Sequence, residues 1–548
     1  MVLSTYSSNL SASLPAEMKM DRRRFLGASA VGVLCAGAWP SLAAAAGKRG
    51  GTVVMTIIPE PPSMVSAFNT AAPLTVISPK MIEGLLSYDY DVNPRPQLAR
   101  SWSVAPDGKS IEFKLQPNVK WHDGQPFTSA DVAFSFMELL KKFHPRGRNV
   151  LAALSAVETP DSTTAIFRLA RPSPAIMSAL SSSESPILPK HIYEGSDPLT
   201  NPRNNNPIGT GPYKFVEWKR GNFITLERNP DYWDAGKPYL DKVIVRTFSD
   251  ANARAAAFEA GELQLGGTTP VPLSEVERFR KNPNFTVEER GDELNNSMDF
   301  LEFNLRKPIL GKVEVRQALR HAINRTAMIK AVWYGLAIPL DSPVPPVLKK
   351  FHASGLPQYP FDLKLANDML DKAGYPRAAG NMRFKVTLDL PTISDVYQRE
   401  AEFIRQSFRQ VGVDVEIRIS DVPSFVRRVY GEYDFDISLF PGSATADPTI
   451  GLQRFYYSKA AVKGSPFVNA SGYNNPEMDQ VLEEAAVEPD AEKRRALFAR
   501  FQQIAMRDLP LFPLALPLNI TIASAKLHDF MSGAEGIRDP LANAWLDP

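Results

Sequence analysis

A chain of 548 residues with 44% hydrophobic and 22% charged positions is too long for one core and too apolar for extended disorder, and it suits roughly two to four domains. Of its 62 basic and 60 acidic residues, Lys19, Arg22, Arg23, Arg24, Glu17 and Asp21 lie in the first 46, so 58 of each remain beyond them; a neutral remainder excludes the clustered positive charge that binding to nucleic acid or an anionic membrane requires. The only cysteine, Cys35, lies in the same leader, so a processed chain has no disulfide and no thiol chemistry, and packing must stabilise it.

The leader, residues 1–46, has the order of an export signal. Asp21-Arg22-Arg23-Arg24-Phe25-Leu26-Gly27 precedes an uncharged run rich in Ala and Gly that ends in Ala43-Ala44-Ala45-Ala46, giving a basic region, an apolar region and small residues for cleavage. The paired arginines before Phe25-Leu26 look like a twin-arginine signal, with Asp21 where Ser or Thr is usual and Gly27 where Lys is common. A Sec signal, an uncleaved anchor and a lipoprotein leader are the alternatives. Leu34 before Cys35 does not suit a lipobox, and the Ala and Gly content makes a poor stop-transfer segment although the run could span ~30 Å. The expected location is the periplasm.

Beyond the leader, Thr52-Val53-Val54-Met55 reads as a strand entered through glycines and broken at Pro59-Glu60-Pro61-Pro62. A loop from Ser63 to Thr70 follows, and then Ile82-Glu83-Gly84-Leu85-Leu86. Ile111, Phe113 and Leu115 alternate as a half-buried strand fed by the turn at Asp107-Gly108. Asp123-Gly124 is a second turn, and Thr128 with Asp131 has the spacing of a helix cap with an acidic third residue. Strand, turn and helix are therefore predicted over residues 110–134. Trp121 reads as a packing residue and His122 as a turn residue.

Another strand is predicted between Asp161 and Leu169, then a loop at Ser181–Pro186 and a boundary at Asn201–Pro207. Ile208-Gly209-Thr210-Gly211-Pro212-Tyr213 suits a tight crossover into a strand and lacks the Lys-Ser/Thr of a phosphate loop. Val243-Ile244-Val245 is a buried-strand run and Ala253 to Ala260 a helix. A boundary is expected near Arg290-Gly291-Asp292, opening a second region. There Val315, Ala318, Leu319, Ala322 and Ile323 fall on one helical face, as do Tyr397, Ala401, Ile404, Phe408 and Val411, stopped by Gly412. Phe384-Val386-Leu388 and Val413-Val415-Ile417 alternate as strands between and after them. The fold class is α/β, with strand and helix units before and after that boundary.

The run from Asp107-Gly108 through Trp121-His122-Asp123-Gly124 to Ala130-Asp131-Val132 resembles the family 5 extracellular solute-binding proteins of ABC importers, the dipeptide, oligopeptide and nickel-chelate group. Gly209-Thr210-Gly211-Pro212-Tyr213, Asn229-Pro230-Asp231-Tyr232-Trp233 and Phe303-Asn304 extend the resemblance over most of residues 50 to 545. It implies a two-lobed periplasmic-binding-protein fold with a hinge of crossing strands. The implied boundaries are first-lobe segments at 47–84, 209–290 and 509–548, a small inserted domain at 85–208 remote from the ligand, and a second lobe at 291–508.

The resemblance also implies a function: a monomeric periplasmic component that captures a small polar or amphipathic solute (peptide-like, opine or sugar), without a cofactor or bound metal, and delivers it to a membrane permease. Candidate ligand contacts are Phe68, Asn69 and Thr70 on the first lobe, with Asn304, Phe440, Pro441, Gly442, Ser443, Thr445 and Asp447 on the second. Peptide binders of the family carry a Gly-Trp pair and a downstream Asp that pairs with the peptide ammonium. Here Pro441-Gly442 replaces the pair and Thr445 aligns with the Asp, leaving Asp447 as a shifted substitute or the end of the loop. A buried ammonium without a carboxylate is costly, so a peptide with a free amino terminus is disfavoured.

The rival classes are a secreted receptor or chaperone with a binding fold and a secreted hydrolase. For the latter no Gly-x-Ser-x-Gly follows the leader, no His-Glu-x-x-His occurs, and the six histidines do not cluster at ligand spacing.

Overall fold

The computed structural model describes residues 49–548; the expected export leader lies outside the described residues. Two sheets organise them. In the first, seven strands run in the order Phe285–Glu288, Thr521–Ser524, Leu265–Gly266, Thr52–Ile57, Lys242–Thr247, Phe223–Arg228 and Tyr213–Lys219. Thr52–Ile57 pairs in parallel with both neighbours, which explains why Val53 and Met55 are wholly buried. Helix Ala251–Glu259 carries the chain from one of those neighbours, Lys242–Thr247, to the other, Leu265–Gly266, with Asp250 accepting the Ala253 N–H at 2.7 Å as its cap.

The second sheet has six strands in the order Ala337–Pro339, Leu511–Pro517, Ser297–Phe303, Ile437–Ser443, Phe384–Pro391 and Val413–Ser420. The last two are parallel and joined by helix Asp395–Gln410, which buries Tyr397, Ala401, Ile404 and Phe408 against them. Helix Val313–His321 buries Val315, Ala318 and Leu319 in the same way. Helix Ala491–Asp508, absent from the sequence reading, closes this lobe. Strand Ile437–Ser443 runs through Pro441, Gly442 and Ser443, which pair with Asp299, Met298 and Ser297.

Between the first-lobe segments stands a four-stranded antiparallel sheet of Ala99–Val104, Ser110–Leu115, Thr164–Leu169 and Leu154–Asp161. Phe113, Phe167 and Phe136 form its aromatic centre, with centroids 5.0 and 4.7 Å apart. The predicted helix start is present: Asp131 Oδ2 accepts the Thr128 N–H at 2.9 Å, and Asp131 Oδ1 accepts the Lys190 N–H at 2.9 Å.

The chain leaves the first sheet after Glu288, enters the second at Ser297, and returns between Pro517 and Thr521. The return falls later than expected. Leu511–Pro517, assigned to the first lobe from residue 509, is instead an inner strand of the second sheet, paired on both sides and buried from Leu511 to Leu516. Its proline, Pro513, fits because the ladder shifts register between Asp299 and Phe300, where a strand tolerates a missing N–H.

Candidate ligand-binding site

The motifs recognised in the sequence interlock to fix the walls of the site. Glu83, buried, accepts from the Tyr232 hydroxyl at 2.8 Å, the Thr210 hydroxyl at 2.8 Å and the Trp233 indole N–H at 3.0 Å. Burial raises its carboxyl to about 7, and these three donors oppose the rise. His122 accepts the Gly209 N–H at Nδ1, 3.2 Å, so Nε2 carries the proton that reaches the Gly211 carbonyl at 3.0 Å. Burial lowers this imidazole to about 4, which keeps it neutral. Gly209 is required here, because a Cβ would sit 1.8 Å from the Met81 carbonyl oxygen. Four separate sequence motifs thus form one rigid junction, and its acid and imidazole are turned into structure.

Above the junction a cavity of about 200 Å³ opens between the lobes. Thr70, Thr75, Ser181 and Ser183 line it from one side, with Asn295, Ser443 and Thr445 on the other. Its charged groups are Arg146, Glu184, Arg454 and Arg538. Arg146 and Glu184 form a two-pronged pair, Nε to Oε1 at 2.7 Å and Nη2 to Oε2. Burial would raise the Glu184 carboxyl, but the hydrogen bonds and charge of Arg146 hold it below its ordinary range. Arg538 Nη1 lies 3.0 Å from Asp292 Oδ1, and its Nε donates to the Thr75 hydroxyl at 3.3 Å.

Arg454 differs. It sits in the short helix Gln453–Tyr456 with its guanidinium over the Phe455 ring, 4.6 Å from the centroid. No hydrogen bond or ion pair reaches that guanidinium among the described residues, and its Nε is cut off from water. Burial, with the like charge of Arg146, lowers it to about 10, so it remains a cation at neutral pH. A half-buried cation without a partner leaves a deficit of opposite charge around it. An anion entering the cavity would remove that deficit.

Thr70, Ser443 and Thr445 are the sequence candidates brought together on this cavity. Ser443 donates its hydroxyl to the Asn295 carbonyl, and Thr445 holds a left-handed backbone, φ 53°, with its N–H on Asn295 O at 2.9 Å. Such a conformation is unfavourable for a β-branched residue.

The other candidates lie elsewhere. Phe68 packs on Phe143 and Tyr193, and exposed Asn69 accepts the Ala71 N–H. Asn304 donates to the Tyr433 and Phe435 carbonyls at 3.1 and 2.9 Å, fastening one strand end to another. Phe440 stacks on Phe300 at 6.0 Å, and Pro441 faces Asp299 in the ladder. Gly442 is pressed by the Phe300 ring, 2.8 Å from where a Cβ would be. Asp447 is closed off: Arg494 donates to both carboxylate oxygens at 2.7 and 2.8 Å, and the Thr449 N–H donates to Oδ1 at 2.9 Å. It ends the loop rather than facing the cavity.

Arg146, Glu184, Asn295, Arg454 and Arg538 were missed by the sequence reading, and no local pattern marks them. Two of them also correct the expectation that segment 85–208 is remote from the cavity. Residues 181–187 fold back onto the first lobe, where the Ser182 hydroxyl accepts the Gly84 N–H at 3.1 Å and the Ile187 N–H reaches the Glu83 carbonyl at 2.9 Å. That return carries Glu184, and with it the Arg146 pair, to the cavity wall.

Two lobes joined by two crossings over a cavity define a solute-binding protein. The family described as bacterial extracellular solute-binding proteins, family 5 Middle, matches residues 93–463, and the chain belongs to it. A Brucella ovis protein provisionally named an ABC transporter peptide-binding protein is 31% identical over 469 residues, covering 82% of this chain and 84% of its own. A glutathione-binding protein of Pectobacterium atrosepticum is 28% identical over 467 residues, covering 83% and 86%. Among solved structures, the binding protein AgaA of A. tumefaciens R10 in complex with agropinic acid superposes with a TM-score of 0.74 at 26% identity, covering 91% of this chain and 99% of that one. The chain is thus the substrate-binding component of an ABC transporter and not an enzyme, with the two-lobed α/β fold of its family.

Proposed function

We propose that the solute is a small carboxylate bearing hydroxyl or carbonyl groups, captured in the periplasm by a monomer that a twin-arginine-type leader has exported, and handed to an inner-membrane permease. The observation that carries the choice of solute is Arg454, a guanidinium with no partner of its own beside hydroxyls that can take further oxygen atoms. Guanidinium and carboxylate match in shape and charge. An ammonium has no counterpart here, because Glu184, Asp292 and Asp447 are each committed to an arginine. The relative solved with agropinic acid supports an acidic ligand.

Thermal shift with matched pairs tests this reading: gluconate against gluconamide, and N-acetyl-L-serine against its amide. A ligand at a hundredfold its Kd stabilises by about 2.7 kcal/mol. The acids are expected to raise the melting temperature, the amides to leave it unchanged, and Arg454→Ala to abolish the response to the acids. Equal shifts from acid and amide would contradict it.

A further inference from the structure

A second and larger space, about 690 Å³, adjoins the cavity. The two share Arg146, Ile450 and Arg454, so the paired and the unpaired guanidinium stand at their common boundary. Their linings differ in degree. Hydroxyl and amide side chains predominate in the first. The second carries more apolar surface, from Val150, Ala153, Ala175, Ile450, Ala460 and Ala486 with Tyr457 beside them, interrupted by Asn149, Ser173, Thr449 and Gln453. The shortness of the alanines creates the space. It opens between the inserted segment, residues 146–175, and the second-lobe helices Gln453–Tyr456 and Pro476–Val487. Its remaining charges are at the rim: Arg171 is exposed, and Glu483 is held by Lys459 at 2.7 Å and by the Tyr457 hydroxyl.

We infer that this second space is a subsite for an apolar arm of the same solute, so that the ligand is an amphipathic acid: a polar head among the hydroxyls, its carboxylate at Arg454, and an acyl or alkyl chain among the alanines. The inference rests on the carboxylate reading, because Arg454 is the boundary post that places the head on one side and the arm on the other. Apolar walls that are open to the boundary and not filled by the protein's own side chains gain most from a chain that displaces water from them. A solute confined to the first cavity would leave those walls wet.

Calorimetry on the full chain with a ladder of N-acyl-L-serines, from acetyl through butanoyl and hexanoyl to octanoyl, tests the inference. Affinity should rise about fourfold for each methylene that becomes buried, at ~0.8 kcal/mol per methylene. Ala152→Trp, at an exposed lining position, should flatten the ladder to the level of its acetyl member. Ala486→Phe, on the opposite wall, provides the same test should the first variant fold poorly. Arg454→Ala should weaken every member by a similar factor. Binding that does not change with chain length, or a steep ladder that both filling variants leave intact, would overturn the subsite while leaving the carboxylate reading in place. No binding by any member, the acetyl compound included, would overturn the carboxylate reading and the subsite with it.

Discussion

Arg494 and Arg454 are both helix residues of the second lobe; Arg494 is buried, and Arg454 is half-buried on the cavity wall. Arg494 meets Asp447 through two hydrogen bonds and adds the Ala485 carbonyl at 2.8 Å and the Thr449 hydroxyl at 2.9 Å. Arg454 meets only aromatic carbon and the like charge of Arg146. The first is a fully matched ion that holds the loop after strand Ile437–Ser443 to helix Ala491–Asp508. The second is a charge whose match must come from outside. Sequence chemistry alone does not separate them; the number of partners does.

Removing the match from Arg494 should have the largest effect on stability. Asp447→Ala strands a buried guanidinium, and urea unfolding should register a loss of about 3–5 kcal/mol. Arg454→Ala in the same experiment should cost little, because it breaks no hydrogen bond or ion pair. A comparable loss in both would erase the distinction.

Gly442→Ala probes the packing of strand Ile437–Ser443 against the aromatic residues beside it. A methyl group there meets the Phe300 ring at 2.8 Å and Phe455 at 3.3 Å, and overpacking of this kind costs about 1–3 kcal/mol.

The smallest effect concerns pH. Burial raises the Glu302 carboxyl to about 8, opposed by the backbone N–H groups of Ser471 and Ala470. Its folded value lies above its unfolded one, so its contribution is full below about 4.5 and is lost as pH climbs through 8. The melting temperature should therefore fall between pH 5 and 8, and Glu302→Gln should make that fall shallower. A parallel fall in the variant would remove Glu302 as its source.

Much of the fold was legible because its signals are local. Thr128 and Asp131 lie three residues apart, and the stripe Val315, Ala318, Leu319 depends only on helical period. The return of the chain was misplaced because Leu511–Pro517 is apolar on both faces, and an unbroken apolar run says only that a strand is central, not which sheet holds it. Of the site, Thr70, Ser443 and Thr445 were legible only through the family resemblance, which implies ligand-facing segments at those places. Arg454 was not legible. Its isolation depends on the absence of a carboxylate brought near by distant segments, and Asp447 looked available only because Arg494, far along the chain, was not known to take it.

The most direct test of the central claim is mass spectrometry of the small molecules released by the protein purified from its own periplasm, with the Arg454→Ala protein prepared alongside. The account predicts that an acid leaves the natural protein and is missing from the variant. A neutral or cationic solute retained equally by both would contradict it.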